Sequence, residues 1–186
     1  MLMTISFANR PFVRRSFLLT AALTLCLCQP ALAAKTRSVG NWFTSSEDDH
    51  FGDGGNYSAF TSSGMYAFGV RCLTNSFSYA VLSDDIKGQR NTPYRFKFRV
   101  DKGDVYPGIG IAIDDKIVQI IANPAMTKDL MSGQELAIKQ EFDGTTFVGV
   151  LNLRGATKAL ADVIKNCPLE KQETPKFDEN GDLDTK

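Results

Sequence analysis

The sequence predicts a mainly β protein: an antiparallel β-sandwich with one short helix and a C-terminal helix. Three observations support this prediction. Apolar and polar residues alternate along several segments, short turn sequences separate those segments, and apolar residues recur at helical spacing near the end of the chain. Alternation is typical of strands with one buried face, whereas three- and four-residue spacing is typical of a helix packed on one side.

The first 33 residues resemble a cleaved export signal. Arg10, Arg14 and Arg15 precede an apolar run at residues 17–28, and residues 31–33 (Ala-Leu-Ala) form a small-x-small cleavage site. The arginine pair also fits twin-arginine export, so the sequence leaves open whether export follows the general secretory (Sec) route or the twin-arginine route. Because the apolar run is shorter than the roughly 20 residues of a spanning helix, we expect no stable membrane insertion. The predicted location is periplasmic or secreted, in a bacterium.

Residues 34–167 are predicted to form a single β-rich domain, since this length is sufficient for one hydrophobic core. The signal holds three of the 21 basic residues and none of the 21 acidic ones, so the remaining chain has a net charge of −3. That balance argues against general nucleic-acid binding. Residues 168–186 hold six acids and three lysines but few large apolar residues, and we expect a disordered acidic tail there.

The predicted strands follow one another as a meander of seven to nine. Alternation is clearest at residues 94–100 and recurs at residues 66–73 and 135–142. Asp143-Gly144 is a typical hairpin turn, and Asp114-Asp115 also separates two apolar segments. The apolar positions expected to face the core are Tyr66, Phe68, Val70, Cys72, Tyr94, Phe96, Phe98, Val100, Leu136, Ile138 and Phe142.

Two segments have helical signals instead. Asn123 is suited to cap a two-turn helix that begins at Pro124 and ends before Gly133. Residues 155–167 place apolar side chains at three- and four-residue spacings, and this helix is expected to stop before Pro168.

Cys72 and Cys167 are predicted to form a disulfide. They are the two cysteines that remain once Cys26 and Cys28 leave with the signal, and both lie on apolar faces that point into the same core. The alternative is a reactive thiol, but Cys167 lies at a helix C-terminus, where the helix dipole disfavours a thiolate. A bridge across this separation stabilises the fold by about 4–5 kcal/mol at most in the loop-closure model.

The segment EDDHFGDGG, residues 47–55, contains His50, the only histidine of the chain. A serine triad or a zinc site needs partners that the sequence does not offer in a recognisable pattern, so we predict no catalytic residue and no cofactor. Glu47, Asp48, Asp49 and Asp53 are oxygen donors suited to calcium, which is the alternative. Their spacing fits no standard calcium loop, and a solvated turn is the simpler interpretation.

Several residues are weak candidates for contact with a partner. The outward row Arg95, Lys97 and Arg99 is suited to an anionic surface, although the solvated face of a sheet is the simpler interpretation. An aromatic group around the acidic loop, including Phe43, Phe51, Tyr57 and Phe60, is suited to recognition, although core packing is the alternative. The candidate residues are Trp42, His50, Asp53, Arg95, Lys97 and Arg99.

The order of short motifs resembles that of the invasion-associated locus B family of small bacterial envelope proteins. The motifs are GNW at residues 40–42, GVRC at 69–72, GIGIAIDDK at 108–116, MTKDLMSGQELAI at 126–138 and FVGVLNLRGATKALADVIKNC at 147–167. They are also similar to those of TagO, a periplasmic accessory protein of type VI secretion. The resemblance implies a β-rich envelope accessory or virulence-associated protein, with no catalytic residues to carry over.

The expected function is therefore non-enzymatic. We expect a periplasmic or secreted envelope protein that binds an unidentified envelope or secretion-system protein. The alternative is a periplasmic hydrolase that works through carboxylates, or an inhibitor of such a hydrolase, because the separations that paired carboxylates need are not visible in a sequence.

Overall fold

A computed structural model describes residues 34–48, 55–84, 86, 90–142 and 144–176; the export signal, His50 and Asp53 lie outside this part of the chain. Ten strands are present there, one more than the upper end of the prediction. The additional strand at the N-terminus is exposed along most of its length and therefore lacks the alternation that reveals a half-buried strand. The strands are β1 Lys35–Val39, β2 Trp42–Glu47, β3 Asn56–Ser63, β4 Tyr66–Leu73, β5 Ser76–Ser83, β6 Pro93–Val100, β7 Val105–Ala112, β8 Ile117–Ile121, β9 Glu135–Phe142 and β10 Thr145–Asn152.

All ten strands belong to one antiparallel sheet with the order β1-β2-β3-β4-β5-β8-β7-β6-β9-β10. The first five form a meander. The next three return so that β8 pairs with β5, and β9 then pairs with β6. This non-sequential pairing places the C-terminal hairpin at one edge of the sheet and β1 at the other.

The sheet folds over on itself, so the two layers of the predicted sandwich come from a single sheet. The end of β10 meets the β2–β3 region, where the Thr61 hydroxyl donates to the carbonyl oxygen of Asn152 at 3.2 Å. Further along the strand, the Tyr66 ring packs against Gly149, where a Cβ would lie only 2.7 Å from a ring carbon. The predicted class, mainly antiparallel β with two helices, is confirmed.

The predicted alternation is confirmed where strand side chains are described. The four apolar residues of β6 are buried, and the basic residues between them are exposed. The same face of β9 contributes Leu136 and Ile138 to the core, but it also buries Gln140 completely. Among the described residues, neither side-chain amide atom of Gln140 has a hydrogen-bond partner.

Helix α1 spans Pro124–Ser132 and begins as predicted. The Asn123 side chain accepts from the backbone N–H groups of Ala125 at 2.9 Å and Met126 at 3.3 Å. The hydroxyl of Tyr79, a fully buried residue of β5, donates to the Asn123 carbonyl at 2.6 Å. Burial raises the pKa of Tyr79, so this tyrosine is neutral at physiological pH.

Helix α2 spans Ala156–Asn166 and buries Ala156, Ala159, Leu160 and Val163 against the sheet. The Cys167 N–H donates to the Val163 carbonyl at 2.8 Å, and the helix stops before Pro168, as predicted. Beyond it, Leu169–Lys171 forms a short 3-10 helix in which Leu169 is buried. The remainder of the predicted acidic tail, from residue 177, lies outside the described residues.

The predicted disulfide is confirmed. Cys72 of β4 and Cys167 at the end of α2 are bonded, with their Cα atoms 5.8 Å apart, and both are buried. The bridge ties the C-terminal end of α2 to β4 across 95 residues of sequence. Neither sulfur is available as a thiol in this state.

Candidate interaction face

The outward side of β6 carries the three basic residues that the sequence singles out. Arg95, Lys97 and Arg99 are exposed and alternate with buried apolar residues, so the geometry of a half-buried strand sets their common direction. We call these residues, together with Lys139 of β9, the cationic face.

Lys139 is the member of this face that the sequence did not indicate. In the register of β6 and β9, Lys97 lies directly opposite Lys139 and Arg95 lies opposite Glu141. The alternation of β9 shows that Lys139 points outward, but it does not show which strand lies beside it. The pairing of β6 with β9 supplies that information.

Glu141 partly compensates the two lysines. Its carboxylate is 2.8 Å from the Lys139 ammonium and 3.6 Å from the Lys97 ammonium. The hydrogen bond from Lys139 and the positive charges of Lys139 and Lys97 lower the pKa of Glu141. The side chains of Lys97, Lys139 and Glu141 are all about half exposed, so solvent weakens these ion pairs.

The cationic face has an excess of positive charge. Its four basic residues have one acid, Glu141, among them. A second acid, Glu135, also points outward, at the far end of β9. Like charges directly opposite each other across a strand pair are unfavourable, as are Lys97 and Lys139 here. An anionic group bound between them would relieve that repulsion.

Apolar side chains border the basic ones. Val105 of β7 is 45% exposed, and Val148 and Val150 of β10 are 63% and 51% exposed. Val148 lies opposite Lys139 and Val150 opposite Ala137. Basic and apolar side chains together line a shallow groove of about 260 Å³. Its lining includes Lys97, Arg99, Val105, Ala137, Lys139 and Val148.

The aromatic candidates separate into two groups. Trp42 is fully buried, and its indole N–H donates to the Leu153 carbonyl at 3.3 Å, so it belongs to the core and does not reach a surface. Phe43 and Phe60 lie opposite each other on the outward side of β2 and β3. Phe43 is 63% exposed and, with Phe60, lines a second groove of about 590 Å³.

The acidic loop is described only at its ends. The Tyr57 hydroxyl donates to the Asp48 carboxylate at 2.6 Å, and this hydrogen bond raises the pKa of Tyr57. His50 and Asp53 lie outside the described residues, so their predicted roles stay predictions. Within the described part of the chain, no group of three or more His, Cys, Asp or Glu residues is arranged to hold a metal ion.

The same part of the chain contains no helix that is both long and apolar enough to cross a membrane.

The fold is similar to that of invasion-associated protein B from Bartonella henselae, with a TM-score of 0.51 and 14% sequence identity. The alignment covers 70% of this chain and 96% of that protein. At this identity the similarity shows a shared fold. No protein-family model and no curated protein matches the chain. The predicted similarity to the locus B family is thus supported at the level of fold, whereas the comparisons give no support to the similarity to TagO.

Proposed function

We propose that this chain is a non-enzymatic protein of the bacterial envelope, periplasmic or secreted, with an accessory or virulence-associated binding role. The sequence of residues 1–33, which resembles an export signal, and the Cys72–Cys167 disulfide support an oxidising location outside the cytoplasm. The fold shared with invasion-associated protein B supports the same class of protein.

The observation that carries the binding role is the cationic face. It places Lys97 and Lys139 side by side with one acid between them, next to valines that are about half or more exposed. A basic patch bordered by exposed apolar side chains fits a protein partner with acidic residues, since the charges steer the encounter and the apolar area contributes affinity. The proposed partner is an envelope or secretion-system protein with an acidic surface.

Charge reversal tests this proposal. In envelope extracts, cross-linking to the wild-type protein captures the partner. The double variant Lys97→Glu/Lys139→Glu is expected to capture at least tenfold less of it. The control is Lys158→Glu/Lys165→Glu, which makes the same change in net charge on exposed positions of α2. Equal capture by the two double variants would overturn the role of the cationic face.

A further inference from the structure

We infer that the free edge of β10 binds an extended acidic segment of a partner protein by adding it to the sheet as an eleventh strand. This inference rests on the proposed function and specifies how the partner is held. β10 is a terminal strand of the sheet and, within the described residues, pairs with β9 alone.

The register shows which backbone groups of β10 point away from the sheet. Thr145 pairs with Phe142, and two residues separate them in sequence; a pair that closes so short a connection is hydrogen-bonded in both directions. Hydrogen-bonded pairs alternate along an antiparallel ladder, so Thr146, Val148 and Val150 direct their N–H and C=O groups away from β9. The Leu153 N–H donates to the Gln134 carbonyl at 2.7 Å, which agrees with this assignment. Leu153, like Thr145, lies at an odd-numbered position, and the hydrogen-bonded pairs recur at every second residue.

In the described part of the chain, no hydrogen bond engages the outward backbone of Thr146, Val148 or Val150. Coverage begins at Asn152, whose carbonyl accepts from Thr61, where the sheet folds over on itself. The open edge is thus about five residues long, or roughly 17 Å, which is the length of an ordinary strand.

The two edges of the sheet differ in protection. At the opposite edge, β1 carries Lys35 and Arg37, and Arg37 forms a 2.6 Å ion pair with Asp162 of α2. Charged residues of this kind guard a strand edge against pairing. β10 has no charged residue and no proline from Thr145 to Asn152, and its eight pairs with β9 continue without a bulge. An unguarded edge with exposed valines is suited to pairing.

The charges beside the edge select the occupant. An added strand would place its outward side chains about 5 Å from Val148 and about 10 Å from Lys139, within reach of that long side chain. Acidic residues at alternate positions therefore fit, with apolar residues turned inward toward half-buried Phe147. A second copy of this chain would instead bring its own Lys139 to about 14 Å on the same face, where like charges repel.

The test uses the complete chain in its oxidised form and a blocked eight-residue peptide in which valine alternates with glutamate. Amide hydrogen exchange, followed by NMR, should slow at least tenfold at Thr146, Val148 and Val150 when the peptide is added. A peptide with lysine in place of glutamate should give no protection. The glutamate peptide N-methylated at all interior amides should also fail, because it keeps the charges but cannot pair. Val148→Pro removes one outward donor of β10 and should weaken binding at least tenfold; should this variant not fold, the N-methylated peptide makes the same test on wild-type protein.

The outcomes separate the mode of recognition from the proposed function. Shifts at Lys97 and Lys139 without protection of the edge amides, or equal binding of the N-methylated peptide, would overturn strand addition and leave the cationic face as a binding site. Concentration-dependent protection without any peptide would also overturn the inference, with a second copy as the occupant. Absence of peptide binding, together with equal capture by the two double charge variants, would refute the proposed function as well.

Discussion

The backbone N–H of Asn41 donates to the carbonyl oxygen of Arg154 at 2.9 Å, which ties the β1–β2 turn to the start of α2. Beside this bond, the Trp42 indole donates to the Leu153 carbonyl. The two segments are GNW at residues 40–42 and LRG at residues 153–155, which lie more than 100 residues apart in sequence. They are separate landmarks in the sequence but form one junction in the fold.

Gly155→Ala is expected to destabilise the junction by about 3 kcal/mol, because it combines backbone strain with a steric clash. Gly155 has a φ of 96°, and a Cβ there would lie 2.5 Å from the Val39 carbonyl oxygen. Urea unfolding measures the loss. The matched control is Gly64→Ala, at a φ of 59° with open space around the Cβ position, for which we expect about 1 kcal/mol. Equal losses at the two sites would show that the close approach does not matter.

Removal of the disulfide is expected to cost about 2–5 kcal/mol, because the unfolded chain regains the freedom that a 95-residue separation restricts. The measurement is the free energy of unfolding of Cys72→Ser/Cys167→Ser compared with that of the oxidised wild type. A reducing agent should destabilise the wild type and leave the double variant unchanged. A wild type that is insensitive to reduction would contradict the structural role of the bridge.

The sequence predicts the local features of this fold because they depend on short-range rules. Alternation places the buried and exposed sides of β6, and the capping residue Asn123 and the Pro124 start place α1. Partner strands are not local. Nothing in residues 94–100 or 135–142 indicates that β6 pairs with β9, so the juxtaposition of Lys97 with Lys139 becomes visible only in the folded chain. Trp42 is another case of a non-local contact, since its buried indole N–H donates to the carbonyl oxygen of the distant Leu153.

Gln140→Met is expected to stabilise the protein by about 1 kcal/mol. The side chain is fully buried, and neither of its amide atoms has a hydrogen-bond partner in the part of the chain that the structure describes. An apolar side chain of similar size therefore removes a desolvation cost. Thermal unfolding measures the change. Gln119→Met, at a half-buried position on the outward side of β8, is the control and should have little effect. Destabilisation by Gln140→Met would show that the amide is satisfied by a group such as bound water.

Tyr106 should titrate well above a free tyrosine. Its hydroxyl donates to the Asp129 carboxylate at 2.5 Å, and this hydrogen bond, with burial and the nearby charge, raises the pKa of Tyr106 to about 12. Because the folded-state pKa is raised, the stabilising contribution is complete below about pH 10 and is lost as the pH rises through about 12. Phenolate absorbance, taken as the difference between wild type and Tyr106→Phe, measures the pKa. Asp129→Asn should lower the pKa, and an unchanged value would rule out the carboxylate as its cause.

The two lysines of the cationic face should affect the pKa of Glu141 to different extents. Because the hydrogen bond from Lys139 is the largest cause of its lowered pKa, Lys139→Gln should raise the Glu141 pKa more than Lys97→Gln does. A lowered folded-state pKa stabilises the fold above the ordinary glutamate pKa, and the effect is lost as the pH falls through the folded-state value. Carbon-13 NMR titration of the Glu141 carboxyl group measures both variants. Lys165→Gln, on α2, serves as the control, and a reversed order of the two shifts would mean that Lys97, and not Lys139, holds the carboxylate.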